Sequence, residues 1–181
     1  RGKPRIFLVY KEKLLLYTKG GMMMVLGKKQ KIGRSIEDIK VGEKLTLTER
    51  IEDKDILLYL GLTNDSNPLY IQHDYASQTP FKKPIVPSIM ITGIMTAAIS
   101  KYLPGPGSHV AEHTVAFPKK IHHYSTIEFL FEVTEVDVSS KTVTIEVEAV
   151  NEQKEKVVTA RFLVYPPLRL PSVETHDFEN F

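Results

Sequence analysis

A short polar segment, Asn64-Asp65-Ser66-Asn67-Pro68-Leu69-Tyr70, carries the side chains best suited to chemistry in this 181-residue chain. Its Asn, Asp and Ser residues favour a turn, and its proline suits the first turn of a following helix. A carboxylate on a loop beside a buried helix can have its pKa raised by desolvation, which suits proton transfer. Asp65 is therefore a candidate proton carrier, whereas the alternative interpretation is an aspartate that merely caps a turn or a helix.

Tyr70 ends this segment with a phenol, which is protonated at neutral pH because an unperturbed tyrosine has a pKa of about 10. A histidine, with a pKa of about 6.5, would be largely available as a base at neutral pH. The difference between the two pKa values corresponds to about 5 kcal/mol. Tyr70 can orient a water molecule or donate a hydrogen bond, which leaves Asp65 as the sole proton carrier. The alternative is a ring that plugs a pocket entrance or packs on a helix.

The rest of the chain predicts the elements that position this segment. Ser88 to Tyr102 is apolar or small on almost every side, which is typical of a buried helix. Alternating and β-branched residues predict strands over 44–51, 113–117, 126–138, 142–151 and 156–164. One buried helix with a run of antiparallel strands indicates an α+β domain, in which a sheet wraps around a helix.

Two shorter helices are expected before the buried one. Asp53 is suited to cap the first, and Gly61 is suited to end it. The second is expected to run from Pro68 to about Ser77, before the prolines at 80 and 84 interrupt the chain.

The segment at 64–70 resembles the active-site motif of the MaoC-like, (R)-specific enoyl-CoA hydratase family, which reads roughly Gly-Asp-x-Asn-Pro-hydrophobic-His. The resemblance continues in ordered pieces through the domain 36–166. It includes Val41-Gly42-Glu43 before a strand, Pro84-Ile85-Val86 before the apolar helix and the loop 103–108 after it. It implies a hot-dog fold, an Asp/His catalytic pair and a backbone N–H at the start of the central helix that binds the thioester oxygen.

The resemblance assigns roles to residues of this chain. Asp65 matches the catalytic aspartate, Tyr70 stands where the histidine is expected, and the Ser88 N–H is the implied oxyanion donor. Asn67 and Pro68 match the scaffold of the motif. The family commonly has His-Gly where this chain has Pro87-Ser88, and Gly-Asp where it has Tyr124-Ser125.

Other side chains have two interpretations each. His73 is a possible substitute base or a surface residue. Lys82 and Lys83 either meet the phosphates of coenzyme A or form a solvated pair. Met90, Ile94 and Met95 either line an acyl pocket or belong to the core. The six histidines show no metal-ligand spacing, so no metal site is expected.

By this resemblance, the chain is expected to be a hydro-lyase that hydrates trans-2-enoyl-CoA or dehydrates (R)-3-hydroxyacyl thioesters, carried on coenzyme A or acyl carrier protein. Coenzyme A enters only with the substrate, and no other cofactor is expected.

The alternative is a catalytically silent acyl-thioester-binding protein, or the partner of an active subunit in a heteromeric dehydratase. Thioesterase activity is a third hypothesis, although the Asn-Pro motif belongs to the hydratase branch. A homodimer is expected, because such sites usually form at a subunit interface.

Charge divides the chain into a basic leader and an acidic body. Residues 1–31 hold nine of the 24 Lys/Arg residues and one acid, for a net charge of +8, so the remainder carries −6. One interpretation of the leader is an anion-binding arm. The other is that much of it is not native protein, because Lys19-Gly20-Gly21 before three methionines is what a ribosome-binding site and nearby start codons would encode if translation were read from too far upstream. The acidic body gives no reason to expect nucleic-acid binding.

Two absences from the sequence bear on its location. The absence of cysteine suits the cytoplasm. No apolar run approaches the length of about 18–20 residues that a membrane span needs.

Residues 167–181 are expected to form a peripheral tail.

Overall fold

A computed structural model describes residues 6–9 and 32–168 of the chain. The expectations for the leader therefore lie outside the described residues, except at 6–9, and so do those for the tail from residue 169 onward. Residues 6–9 form a strand, which the sequence analysis did not predict.

The described strands form one six-stranded sheet in the order β1-β2-β4-β5-β6-β3. Neighbouring strands are antiparallel, except that β1 runs parallel to β2. The strands are β1 (Ile6–Val9), β2 (Lys44–Arg50), β3 (His109–Ala116), β4 (Thr126–Asp137), β5 (Thr142–Val150) and β6 (Lys156–Tyr165). The four strands expected after the central helix are all present, and β3 begins four residues earlier than expected.

Alternation along the strands builds one apolar face. Leu45 pairs with Phe131 and Leu47 with Phe129 across β2 and β4, and all four side chains are buried. Because successive side chains point to opposite faces of a strand, this register places the apolar residues on a common side. The outward positions carry charge instead, as in the ion pair of 3.0 Å between Lys44 and Glu132.

The central helix α4 (Ser88–Tyr102) has the bounds that its composition predicts. Its buried apolar residues, Ile91, Met95, Ala98 and Ile99, belong to the same hydrophobic core as the apolar face of the sheet. The expected α+β arrangement of a sheet packed around one apolar helix is therefore confirmed.

Among the described residues, a short 3-10 helix (Ile36–Asp38) and three α-helices precede α4. The α-helices are α1 (Asp53–Thr63), α2 (Pro68–Ile71) and α3 (His73–Ser77). Three expectations were wrong here. Glu52, not Asp53, caps α1 through a reciprocal capping box with Asp55, and Gly61 lies inside the helix, which continues for two residues beyond it. The single helix expected from 68 to 77 is divided at Gln72, whose extended backbone (φ −106°, ψ 103°) separates α2 from α3.

Gly33 anchors the start of the domain to the loop that follows α4. Its N–H donates to the Pro106 carbonyl at 2.7 Å, and the Arg34 N–H donates to the Pro104 carbonyl at 3.0 Å. A Cβ atom at position 33 would lie 2.6 Å from the Pro104 carbonyl oxygen and 2.7 Å from the carbonyl carbon of Gly105. Only a residue without a side chain fits this backbone-to-backbone contact.

This contact predicts opposite effects of alanine at two glycines. Gly33→Ala should lower the free energy of unfolding by about 1–3 kcal/mol, because backbone atoms must move to admit the methyl group. Gly61→Ala is the matched control, because its Cβ would meet nothing within 4 Å. It should raise the free energy of unfolding by roughly 0.5–1 kcal/mol, which is the cost of a glycine relative to alanine inside a helix. Urea unfolding measures both, and an unchanged stability of Gly33→Ala would contradict the packing described.

Candidate functional site

Asn64 turns the chain from α1 into the polar segment. It is the C-cap of α1 and adopts a left-handed backbone, with φ 53° and ψ 32°. Glycine and asparagine tolerate this conformation better than other residues. Asn64 occupies the position of the glycine in the motif that the segment resembles, so the requirement for a left-handed residue is met by a different side chain.

The next residues are held by two side-chain caps. The Asn67 N–H donates to Asp65 Oδ1 at 3.0 Å, and the Leu69 N–H donates to Asn67 Oδ1, also at 3.0 Å. Asn67 is thus the N-cap of α2, and Pro68 occupies the first position of that helix. The expected scaffold roles of Asn67 and Pro68 have this physical basis.

Asp65 combines a capping contact with partial exposure. Its side chain is half-buried, and its Oδ1 accepts the Asn67 N–H. No described residue donates a hydrogen bond to its second oxygen, Oδ2. The capping role and the proton-carrier role are therefore compatible, because they use different oxygen atoms.

Tyr70 lies in the electrostatic field of Asp65. Burial raises the pKa of the Tyr70 phenol above its ordinary value, the negative charge of Asp65 raises it further, and Tyr59 adds to the same shift. A hydrogen bond with Asn67 acts in the opposite direction and is the smallest of these effects. At neutral pH Tyr70 is a neutral hydrogen-bond donor beside a carboxylate.

The polar segment is joined to the start of α4 by backbone hydrogen bonds. The Leu69 carbonyl accepts the Ile85 N–H at 3.1 Å, and on its other side the same extended segment bonds through the Val86 N–H to the Ile121 carbonyl at 2.8 Å. Three residues after Ile85, the exposed Ser88 opens α4. The first N–H groups of a helix have no partner within the helix, so this end of α4 presents donors to an anionic oxygen.

The remaining predicted residues differ in their exposure to solvent. His73 is exposed at the start of α3, and the break at Gln72 removes the helical spacing that would have related it to Tyr70. Met95 is fully buried in the core, whereas Met90 and Ile94 are half-buried and pack against that core.

Tyr59 is the residue near this site that sequence reasoning missed. It is half-buried on α1, and the Thr63 hydroxyl donates to its carbonyl at 2.8 Å in the last turn before Asn64. The available signal was its position one helical turn before the segment. Among the described residues, no group of three or more His, Asp or Glu side chains is arranged to hold a metal ion, and no helix is long and apolar enough to cross a bilayer.

Comparison with known proteins places this geometry in context. The family model described as MaoC like domain matches residues 30–157. An (R)-specific enoyl-CoA hydratase of Rhodospirillum rubrum is 33% identical over 108 residues, which cover 60% of this chain and 75% of that protein.

Two solved structures show the same fold. The R-hydratase PhaJ1 from Pseudomonas aeruginosa, in the unliganded form, matches with a TM-score of 0.70 and 24% identity, over 80% of this chain and 97% of that chain. A chain of the ChsH1-ChsH2 complex from Mycobacterium tuberculosis matches with a TM-score of 0.64 and 22% identity, over 70% of this chain and 98% of that chain. The expected hot-dog fold is confirmed by these similarities.

The environment of Tyr70 predicts a late ionisation. The difference in tyrosinate absorbance between wild type and Tyr70→Phe should have its midpoint above pH 10.0, because burial and Asp65 disfavour the phenolate. The linked stability is present below about pH 10 and is lost as the pH rises through the raised pKa of the folded state. A midpoint at or below pH 10 would show that the phenolate is not disfavoured.

Proposed function

We propose, because this chain belongs to the MaoC-like hydratase/dehydratase family, that it hydrates trans-2-enoyl thioesters to (R)-3-hydroxyacyl thioesters and catalyses the reverse dehydration. The observation that carries the proposal is the tie between the Asp65 segment and the start of α4 through the hydrogen bond from the Ile85 N–H to the Leu69 carbonyl. It supports a site with a proton carrier on one side and free helix N–H groups on the other.

Hydration requires a proton to leave water as its oxygen adds to C3, a proton to reach C2, and stabilisation of the negative charge on the thioester oxygen. In the proposed reaction Asp65 takes the proton from water and delivers a proton to C2. The Ser88 N–H stabilises the charged oxygen at the start of α4. Neutral Tyr70 orients the water through its hydroxyl group.

Tyr70 sets the expected efficiency. A positioned base contributes about 10²–10⁴-fold to rate, and a neutral phenol replaces the histidine that would share this task in the motif. We therefore expect slow turnover, in which Asp65 carries the proton alone. Coenzyme A and acyl carrier protein are the proposed carriers of the acyl group, and the cytoplasm is the proposed location, supported by the absence of cysteine.

The environment of Tyr70 favours a second candidate function. The raised pKa of Tyr70 removes its phenolate as a base at neutral pH, which suits a subunit that binds acyl thioesters without turning them over. Such a subunit would act as a carrier, or beside an active partner that supplies an Asp/His pair. The similarity to a chain of the two-component ChsH1-ChsH2 complex is compatible with a pairing of this kind.

The proposed reaction predicts dependence on one carboxylate. Asp65→Asn should reduce the hydration of crotonyl-CoA by about 10²–10⁴-fold, because the variant keeps an acceptor for the Asn67 N–H and loses the proton carrier. Asp74→Asn is the matched control, since it makes the same charge change on an exposed side chain of α3 and should leave the rate unchanged. Loss of crotonyl-CoA absorbance measures the rate. No turnover by wild type at micromolar enzyme, or full activity of Asp65→Asn, would overturn the hydratase proposal.

Uncovered surface predicts a homodimer. β3 is the last strand on its side of the described sheet, and α1 leaves Leu57, Leu58 and Leu62 exposed at 63%, 73% and 88%. Proteins usually cover open strand edges and clustered apolar side chains. Light scattering of the full chain should give twice its mass of 20.6 kDa, and a monomer at micromolar concentration would contradict this prediction.

A further inference from the structure

A cavity of about 530 Å³ lies outside the site described above. The segment 118–122, which leads into β4, forms one wall, and the turn between β5 and β6 forms another. Ile127 and Val157 provide a buried apolar floor, and the side chains of Asn151 and Gln153 add amide groups to the lining.

Four lysines collect at this cavity and on the loop beside it. Lys119 and Lys120 line the cavity. The Lys120 ammonium donates to the Pro80 carbonyl at 3.1 Å and lies 5.6 Å from the centroid of the Phe81 ring, so the two loops adjoin. Directly after Phe81 come Lys82 and Lys83, both exposed.

The charge of this region is opposite to that of the body of the chain. After residue 31, acidic residues outnumber basic ones by 21 to 15, yet four of those basic residues lie on these two short loops. Concentrated positive charge on an otherwise acidic protein attracts and orients polyanionic ligands.

One carboxylate partly neutralises the cluster. Glu155 accepts a hydrogen bond from the Lys119 ammonium at 2.6 Å and another from the Asn151 amide at 3.0 Å. Both contacts lower the pKa of Glu155, and that with Lys119 is the larger cause, so this acid stays ionised at neutral pH. A phosphate group that binds Lys119 must therefore compete with Glu155.

The cavity adjoins the proposed active site through a shared segment. The Pro84 carbonyl lies 3.0 Å from His122 Nδ1, and the Val86 N–H donates to the Ile121 carbonyl at 2.8 Å. Ser88 follows Val86 by two residues, which span at most about 7 Å of chain. The same extended segment thus borders the cavity and leads to the oxyanion donors of α4.

We propose that this cavity, with Lys119 and Lys120 in its lining and Lys82 and Lys83 on the adjoining loop, binds the phosphate-bearing nucleotide end of coenzyme A. The inference rests on the proposed action on acyl thioesters, because it assigns the carrier of the acyl group. The lysines match the phosphates, and the apolar floor with its amide side chains suits a purine ring. In this proposal the pantetheine arm of coenzyme A runs from the cavity to the start of α4.

Calorimetry with free coenzyme A tests this site without requiring catalysis. The double substitution Lys119→Gln and Lys120→Gln should weaken binding of coenzyme A by about three- to thirtyfold, as expected for the loss of two partly exposed charge contacts. Glu155→Gln should tighten binding, since it removes the competing carboxylate. The matched control is Lys154→Gln with Lys156→Gln, a pair of lysines at the same end of the sheet that bond to Glu128 and Glu148 instead; it should leave affinity unchanged.

Kinetics with two substrates separates this inference from the hydratase proposal. For crotonyl-CoA, the Lys119/Lys120 variant should raise KM with kcat unchanged. For crotonyl-pantetheine, which lacks the nucleotide, KM should not change. Lysine-dependent binding of coenzyme A without turnover would support the cavity and overturn the hydratase activity. If wild type turns over crotonyl-CoA and the Lys119/Lys120 variant has the same KM, the cavity proposal is overturned. A change in KM of the variant for crotonyl-acyl carrier protein alone would overturn it as well.

Discussion

Burial of α4 is the constraint on which the rest of this structure depends. The helix is apolar or small on almost every side, and the described residues bury the face that carries Ile91, Met95 and Ile99, whereas Ile89, Gly93 and Ala97 on the opposite side stay exposed. Its large buried side chains, among them Ile91, Met95 and Ile99, each contribute roughly 1.5–3 kcal/mol when removed from water. The sheet provides that environment with the apolar face that includes Phe129, Phe131 and Phe162.

The functional geometry follows from how this buried helix begins. Its first N–H groups lie before the first full turn, where the Met90 N–H donates to the Pro87 carbonyl at 3.1 Å and the Ser88 N–H begins the helix. The extended segment before Ser88 fixes their position through hydrogen bonds to Leu69 on one side and Ile121 on the other. The same core that holds the helix thus ties the polar loop to the segment that leads into the helix.

Sequence reasoning succeeded where one physical cause dominated. The bounds of α4 and the three long strands β4, β5 and β6 follow from apolar composition and alternation. It was less accurate for β3, whose residues from His109 to Ala116 are exposed or half-buried and so lack the alternation of a strand packed on a core. The break at Gln72 and the left-handed Asn64 depend on backbone conformations that neither period nor composition specifies.

The surroundings of the candidate residues could be predicted only in part. The sequence indicated Asp65, Tyr70, Asn67, Pro68 and Ser88 from one motif and one helix start. It did not indicate that Asp65 uses one oxygen to order the loop. Nor did it show that burial, Asp65 and Tyr59 together hold Tyr70 in its neutral form, because those effects arise from spatial proximity.

The central proposal is that the loop holds residue 70 in a hydratase site, where Tyr70 lacks the basicity of the histidine in the motif. The most direct test is the rate of crotonyl-CoA hydration by Tyr70→His, measured beside wild type and beside Tyr75→His, an equivalent change at a tyrosine that is 48% exposed on α3. The account predicts that Tyr70→His gains about 10²–10⁴-fold, the contribution of a positioned base, and that Tyr75→His gains nothing. A folded Tyr70→His variant with no increase in rate would contradict it.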